Sequence, residues 1–143
     1  MEVSGSYEFN ATSARVWELL MDPRAISRCL PGCESYEDLG NDQFRAVLSV
    51  GLGPIRGRYS ATISLRDQDP PRSYLLSVAG SGSLGLANGE SRVTLIDHGD
   101  TTTVRVESDA QTEGGGIGLG QRLMSGVAKT VMDRFFGCLR EGL

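Results

Sequence analysis

The stretch LGQRLMSGVAKTVMDRFFGCL, residues 119–139, decides the fold of this 143-residue chain. Its apolar side chains recur every four residues, at Leu119, Leu123, Val127, Val131 and Phe135. This spacing predicts an amphipathic helix of about five or six turns. The apolar stripe is widened by Met124, Ala128, Met132 and Cys138 or Leu139. Because such a stripe must be buried, the helix needs an apolar surface supplied by the rest of the chain.

The residues before the helix predict that surface as an antiparallel sheet. Between Cys33 and Thr112, apolar and polar residues alternate in five runs. Alternation with period two is typical of strands that have one buried and one solvated face. The runs place on one face Phe44, Ala46, Leu48 and Val50, then Tyr59, Ala61, Ile63 and Leu65, then Tyr74, Leu76 and Val78, then Ser91, Val93 and Leu95, then Val104 and Val106.

The N-terminal residues complete the order of elements. Residues 3–9 alternate as a strand, Asn10 or Thr12 can cap a short helix, and Pro23 can start a second short helix that runs through Arg28. The order is therefore strand, two short helices, about six strands and one long helix. It predicts a single α+β domain over residues 1–143, a curved antiparallel sheet of about seven strands wrapped on the C-terminal helix.

Composition excludes several classes of protein. Fourteen basic against eighteen acidic residues give a net charge of -4, which argues against a general nucleic-acid binder. Apolar runs stay well below the 18 residues that a membrane-spanning helix needs. The N-terminus lacks the charged and apolar regions of a signal peptide. We therefore expect a cytoplasmic chain whose three cysteines are reduced thiols.

The glycine motifs do not predict a nucleotide site. Residues 80–85 match the G-x-G-x-x-G fingerprint, but a strand follows where phosphate binding needs a helix, so a bulged hairpin is favoured. The glycines of residues 114–120 precede a helix without the Lys-Ser/Thr of a P-loop. They favour a hinge at the start of the helix, with an anion site there as the alternative.

The polar residues do not form a recognisable catalytic or metal-binding set. Cys29 and Cys33 lack the further ligands of a metal site, so they are interpreted as half-buried side chains, with a redox pair as the alternative. His98 lies in a predicted turn and is interpreted as solvated. Ser-His-Asp and Cys-His arrangements cannot be assembled, and we expect neither metal nor enzymatic activity.

Two features of the sequence favour a binding function, one for a small apolar molecule and one for a partner protein or a bilayer. The inner face is apolar with a few hydroxyls, and one helix on one sheet often leaves an apolar cavity, although a packed core is the alternative. Residues 50–59 place Leu52 and Ile55 in a glycine-rich loop beside Arg56 and Arg58. Apolar residues next to cations suit contact with a partner protein or an anionic bilayer, unless they fold inward.

The order of elements resembles the helix-grip fold of the START and Bet v 1-like (SRPBCC) superfamily. Within it, Leu30-Pro31-Gly32-Cys33-Glu34 and the segment VGLGPIRGRY, residues 50–59, resemble two motifs of the CoxG family, the G subunits of carbon monoxide dehydrogenase. Residues 67–71, the glycines of residues 80–85, Arg122-Leu123 and Phe135-Phe136 match as well. Two departures are the additional glycines after Glu113 and the end of the chain at Leu143, where many members carry an extension that reaches the membrane.

The resemblance implies an accessory protein associated with molybdenum-containing carbon monoxide dehydrogenase and its recruitment to the inner face of the cell membrane. It implies a bound quinone or other isoprenoid lipid and no covalent cofactor. The implied tunnel is lined by Leu48, Val50, Ile63, Leu76, Met124, Val127, Val131 and Phe135, with Tyr59 or Tyr74 donating to a headgroup carbonyl. The loop of residues 51–57 is then the mouth and docking surface. Alternatives are a recruitment or maturation factor with a packed interior, and a cyclase or aromatase of the same fold.

Overall fold

The computed structural model describes residues 2–52, 55–82, 85–113 and 120–143. In chain order the elements are β1 (Glu2–Phe9), α1 (Ser13–Leu20), α2 (Pro23–Cys29), β2 (Cys33–Gly40), β3 (Gln43–Leu52), β4 (Ile55–Asp69), β5 (Ser73–Gly82), β6 (Gly85–Asp97), β7 (Thr102–Glu113) and α3 (Gly120–Glu141). This order confirms the predicted α+β helix-grip fold.

The strands form one antiparallel sheet in the order β1-β7-β6-β5-β4-β3-β2. Strands β2 to β7 pair with their neighbours in sequence, and only β1 pairs over a long separation, with β7. Local pairing of this kind follows from short hairpin connections. The predicted cap and start of the short helices are also confirmed, since the Thr12 side chain accepts from Arg15 N and Pro23 begins α2.

The Leu-Pro-Gly turn fixes the start of β2 against β3. Gly32 has a φ of 71°, and a Cβ atom there would lie 2.0 Å from the carbonyl oxygen of Ser49. The backbone N–H of Ser49 donates to the carbonyl of Gly32 at 2.8 Å. Glycine is therefore required for both its conformation and its lack of a side chain.

Two glycine-rich segments are ends of hairpins. The expectation of a loop over residues 51–57 is wrong in extent, because β3 reaches Leu52 and β4 begins at Ile55, with Gly51 opposite Arg56. Glycine keeps its backbone N–H and C=O, so the ladder continues through it. Residues 80–85 form the expected hairpin with Gly82 opposite Gly85, and their described pairs run in continuous register without the expected bulge.

The packed core lies where the C-terminal half of α3 meets β1, α1 and α2. The Phe136 ring stacks on Tyr7 at 4.5 Å between centroids and meets Phe9 edge-on. Phe9, Val16 and Leu139 are almost fully buried. This end of the sheet therefore supplies most of the apolar burial that stabilises the fold.

A disulfide joins Cys29 of α2 to Cys138 of α3. This corrects the expectation of three reduced thiols, and it also excludes the alternative of a Cys29–Cys33 redox pair, since Cys33 is the free cysteine. The two bonded residues are 109 positions apart, and only the seating of α3 against α2 brings them together.

We expect Cys138→Ala to lower the free energy of unfolding of the oxidised protein by about 3–5 kcal/mol, because cross-links that close long loops restrict the unfolded chain most. Urea unfolding with and without dithiothreitol measures this. Reduced wild-type protein should match the variant, and Cys33→Ser should behave like the oxidised wild type. Equal stability of oxidised and reduced wild-type protein would contradict the disulfide's role.

Candidate functional site

The inner face of the sheet has two parts that differ in burial. Around the core cluster the side chains are buried. Toward the β3–β4 and β5–β6 hairpin ends the inner face is only half-buried, and we call this region the open half. Its described members are Leu48, Val50, Tyr59, Ile63, Leu76, Val78 and Ser91 on the sheet, and Val127 and Val131 on α3.

The open half follows from the widths of the elements. Six spacings between the seven strands make the sheet about 30 Å wide, whereas a helix with its side chains is about 10 Å across. Helix α3 packs against β1 at one edge of the sheet and against α2, which itself packs on β2 at the other edge. The apolar inner faces of β3 to β5 stay half-buried toward the β3–β4 and β5–β6 hairpin ends.

The predicted tunnel residues fall into three groups. Most are half-buried on the inner face or on α3, namely Leu48, Val50, Tyr59, Ile63, Leu76, Val127, Val131 and Phe135. Among these, Leu76 and Phe135 also pack against the core cluster. Tyr74 is buried within that cluster. The side chain of Met124 lies outside the described residues. So do the side chains of Leu52 and Ile55 from the predicted docking loop, and the whole of residues 114–119.

Tyr59 covers a glycine on the neighbouring strand. It pairs with Gly82 across β4 and β5, and a Cβ atom at Gly82 would lie 2.3 Å from Cδ1 of the Tyr59 ring. Sequence patterning could not show this contact. The contact explains why residue 82 is a glycine. The ring therefore lies along the inner face at the hairpin end.

The two other tyrosines of this region are neutral phenols. Tyr74 is 5% exposed and meets the Trp17 ring edge-on at 5.5 Å between centroids. Burial raises the pKa of Tyr74 well above its usual value. Burial, and to a smaller extent the nearby Cys33 and Asp38, raises the pKa of Tyr36 to about 12. Both side chains remain protonated at neutral pH.

Concavities of about 770 Å³ and 490 Å³ lie mostly on the outer face of the sheet. The larger is lined by charged side chains that include Glu90, Arg92, Arg105 and Glu107. Such surroundings solvate ions and do not suit an apolar ligand. The open half is therefore the better candidate for an apolar molecule.

The described part of the chain contains no cluster of three or more His, Cys, Asp or Glu side chains that could hold a metal ion. Within the same residues, none of the helices is both long enough and apolar enough to cross a membrane.

Comparison with known proteins identifies the family. The family model of the carbon monoxide dehydrogenase G subunit (CoxG) matches residues 5–143. The chain belongs to the CoxG family. Its two motifs of residues 30–34 and 50–59 thus form the α2–β2 turn and the β3–β4 hairpin. No curated protein is similar enough to match the chain.

Solved structures are similar to this chain over nearly its whole length. A conserved protein from Geobacillus kaustophilus is 35% identical, with a TM-score of 0.95 over 99% of this chain and 94% of that one. A START superfamily protein from Mycobacterium smegmatis is 13% identical, with a TM-score of 0.77 over 98% and 94% of the two chains. The Zhui aromatase/cyclase from Streptomyces sp. R1128 is 17% identical, with a TM-score of 0.72 over 99% and 92%. The last two similarities show the fold alone.

A polar contact seats α3 of this CoxG-family chain on β1. The Tyr7 hydroxyl donates to Asp133 at 2.7 Å, and Lys129 donates to the same carboxylate. The Lys129 ammonium also lies 5.5 Å from the centroid of the Tyr7 ring. Hydrogen bonds from Lys129 and Tyr7 lower the pKa of Asp133. Residues 7 and 133 are far apart in sequence, so the pattern gave no sign of this contact.

His98 takes part in a second polar chain, away from the open half. The Thr103 hydroxyl donates to the Glu8 carboxylate at 2.8 and 2.9 Å, so the His98 Nε2–H must donate to Thr103 Oγ1 at 2.8 Å. Thr103 is buried, which leaves its hydroxyl unsuited to attack a substrate. These hydrogen bonds connect the exposed β6–β7 turn to β1.

Replacing Asp133 should make stability less dependent on acid pH. A lowered pKa in the folded state stabilises the fold above the unfolded value, 3.8, and this contribution disappears as pH falls through the folded value. We expect Asp133→Asn to cost up to about 1 kcal/mol at pH 7, because the group is exposed, and the cost to shrink progressively as pH falls below 3.8. Urea unfolding at pH 7 and at successively lower pH values below 3.8 measures this, with Asp100→Asn as control. A cost independent of pH would contradict the assignment.

Proposed function

We propose that this chain is a non-catalytic carrier that binds a lipophilic molecule, a quinone or another isoprenoid lipid, against the open half. The observation that supports this is the apolar inner face of β3 to β5, which stays half-buried, together with Val127 and Val131 of α3, which are half-buried as well. Large apolar surfaces left accessible in a folded protein are commonly binding sites.

The chemistry of the open half suits a carrier. Each methylene group of an isoprenoid tail gains about 0.8 kcal/mol on leaving water, and a bilayer offers nearly the same gain. The free energy that the tail gains in the carrier must therefore be close to the gain in the bilayer and need not exceed it. Aliphatic walls such as Leu48, Ile63 and Val131 provide this balance, so the ligand can be both loaded and released.

The client enzyme is proposed from the family. The family is described as a subunit of carbon monoxide dehydrogenase. We infer that the chain serves or recruits a membrane-associated redox enzyme of the molybdenum-containing carbon monoxide dehydrogenase type. In this role the chain exchanges a quinone between bilayer and enzyme and needs no metal or covalent cofactor of its own.

The β3–β4 hairpin end is proposed as the mouth of the site and its membrane-facing surface. Arg56 and Arg58 lie on β4 next to the hairpin end, and both are exposed. Arg58 pairs with Glu34 at 2.9 Å, which holds its side chain beside β2. Cations near an anionic bilayer surface gain about 1 kcal/mol each, enough for transient peripheral binding.

A cytoplasmic position at the inner face of the membrane is proposed from the family alone. Disulfides are uncommon in that compartment, and although Cys29 is 4% exposed, Cys138 is half-buried, so a thiolate can reach the bond at its sulfur.

Filling the open half should prevent loading. We expect Val127→Trp to abolish uptake of a quinone from quinone-containing vesicles, because the larger side chain occupies the space beside the inner face. Native mass spectrometry after re-isolation of the protein measures uptake. The matched control is Arg134→Trp, an exposed position on the same helix.

Retained loading in a folded Val127→Trp protein would overturn this placement of the site. Wild-type protein that stays empty after the same incubation would overturn the carrier function and favour a recruitment factor that acts through protein contacts alone.

Reversing charge at the hairpin end should slow transfer. We expect Arg56→Glu to reduce the rate of quinone uptake from anionic vesicles at least about fivefold, and to leave uptake from neutral vesicles unchanged. Arg45→Glu, an exposed arginine of β3 farther from the hairpin end, serves as control. Equal rates for both variants would show that this end does not face the membrane.

A further inference from the structure

Two serine hydroxyls interrupt the apolar inner face at the border of the open half. Ser91 of β6 and Ser108 of β7 are cross-strand partners, and their Oγ atoms lie 2.7 Å apart. Both residues are half-buried, whereas Val93 and Val106, the next pair on the same face, are buried. A hydroxyl pair is therefore placed where the sheet begins to be accessible.

The pair keeps unused hydrogen-bonding capacity. Each serine hydroxyl has one proton and two lone pairs, and one bond between them uses one proton and one lone pair. Among the residues that the structure describes, each of these hydroxyls has only the other as its hydrogen-bond partner. With respect to the described residues, one proton thus remains to be donated, and three lone pairs remain to accept.

The surroundings of the pair continue into the proposed site. Gly89 lies two positions before Ser91 and has no side chain to cover the hydroxyls. Leu76 pairs with Ser91 across β5 and β6, and Leu65 pairs with Leu76 across β4 and β5. Val78, opposite Gly89, pairs in turn with Ile63. A ligand lying along Ile63 and Leu76 therefore has its end within reach of the hydroxyls.

We propose that Ser91 and Ser108 form the polar subsite that binds the oxygen of the ligand's headgroup. Toward a quinone, one hydroxyl donates its free proton to the carbonyl. Toward the reduced hydroquinone, a serine oxygen accepts from the phenolic O–H. Either serine can be the donor in their mutual bond, so the pair can bind both the quinone and the hydroquinone. Both hydroxyls are neutral, so the apolar site holds no charged group. This inference rests on the proposed carrier function and specifies its ligand as one with an oxygen headgroup.

This assignment differs from one that uses Tyr74. Tyr74 is packed against Trp17 inside the core cluster, where a headgroup could reach it only by displacing buried side chains. The serines lie in the half-buried region and need no such displacement. They thus provide an accessible polar group on the inner face next to Leu76.

The test compares two probes on the full chain. One is a 1,4-naphthoquinone with a geranyl tail, and the other is a naphthalene with the same tail and no carbonyl. Isothermal titration of wild type and of Ser91→Ala/Ser108→Ala gives the dissociation constants. We expect the double variant to bind the quinone about tenfold more weakly and the hydrocarbon unchanged. Each single variant should lose less, because one hydroxyl remains.

The controls separate recognition from folding. Ser4→Ala removes an exposed hydroxyl on the outer face of β1 and should change neither affinity. Ser91→Thr/Ser108→Thr keeps both hydroxyls and should restore quinone binding, which supports the subsite. Quinone affinity equal to wild type in the double alanine variant, or equal loss for both probes, would overturn it. If wild type binds neither probe, the carrier function itself fails.

Discussion

A single α-helix is about 10 Å wide, and the sheet that it must cover is about 30 Å wide. Helix α3 and the two short helices resolve this mismatch at one end of the sheet only, where the C-terminal half of α3 packs with β1 and α2. Phe136 stacks on Tyr7, Leu139 is fully buried, and Cys138 is bonded to Cys29. The inner face toward the β3–β4 and β5–β6 hairpin ends is left half-buried.

Stability and the proposed binding site are thereby assigned to different ends of the same sheet. The core cluster unites residues of β1, β5, β6, β7, the short helices and the end of α3, where burial is nearly complete. The open half keeps the same alternation of apolar residues but is only half-buried. Because the stabilising contacts lie elsewhere, a ligand in the open half would leave them intact, as the proposed carrier function requires.

The family motifs are explained by backbone geometry rather than by catalysis. Gly32 lets the α2–β2 turn approach the backbone of Ser49, and Gly82 makes room for the Tyr59 ring. The β3–β4 segment continues as paired strands to the hairpin end. These positions shape the border of the open half. The similarity to an aromatase/cyclase shows a shared fold, and proteins of one fold can have different functions.

The sequence by itself determined the order of elements, the inner face of each strand and the apolar stripe of α3, because periodicity is a local property that hydrophobic burial enforces. It also placed Leu48 and Ile63 on the inner face of the sheet and Val127 in the apolar stripe of α3. Only the tertiary structure decided the Cys29–Cys138 bond, the Tyr7–Asp133 contact and the pairing of Ser91 with Ser108. These depend on strand register and on where α3 is seated, and local spacing carries no information about residues that folding brings together from distant parts of the chain.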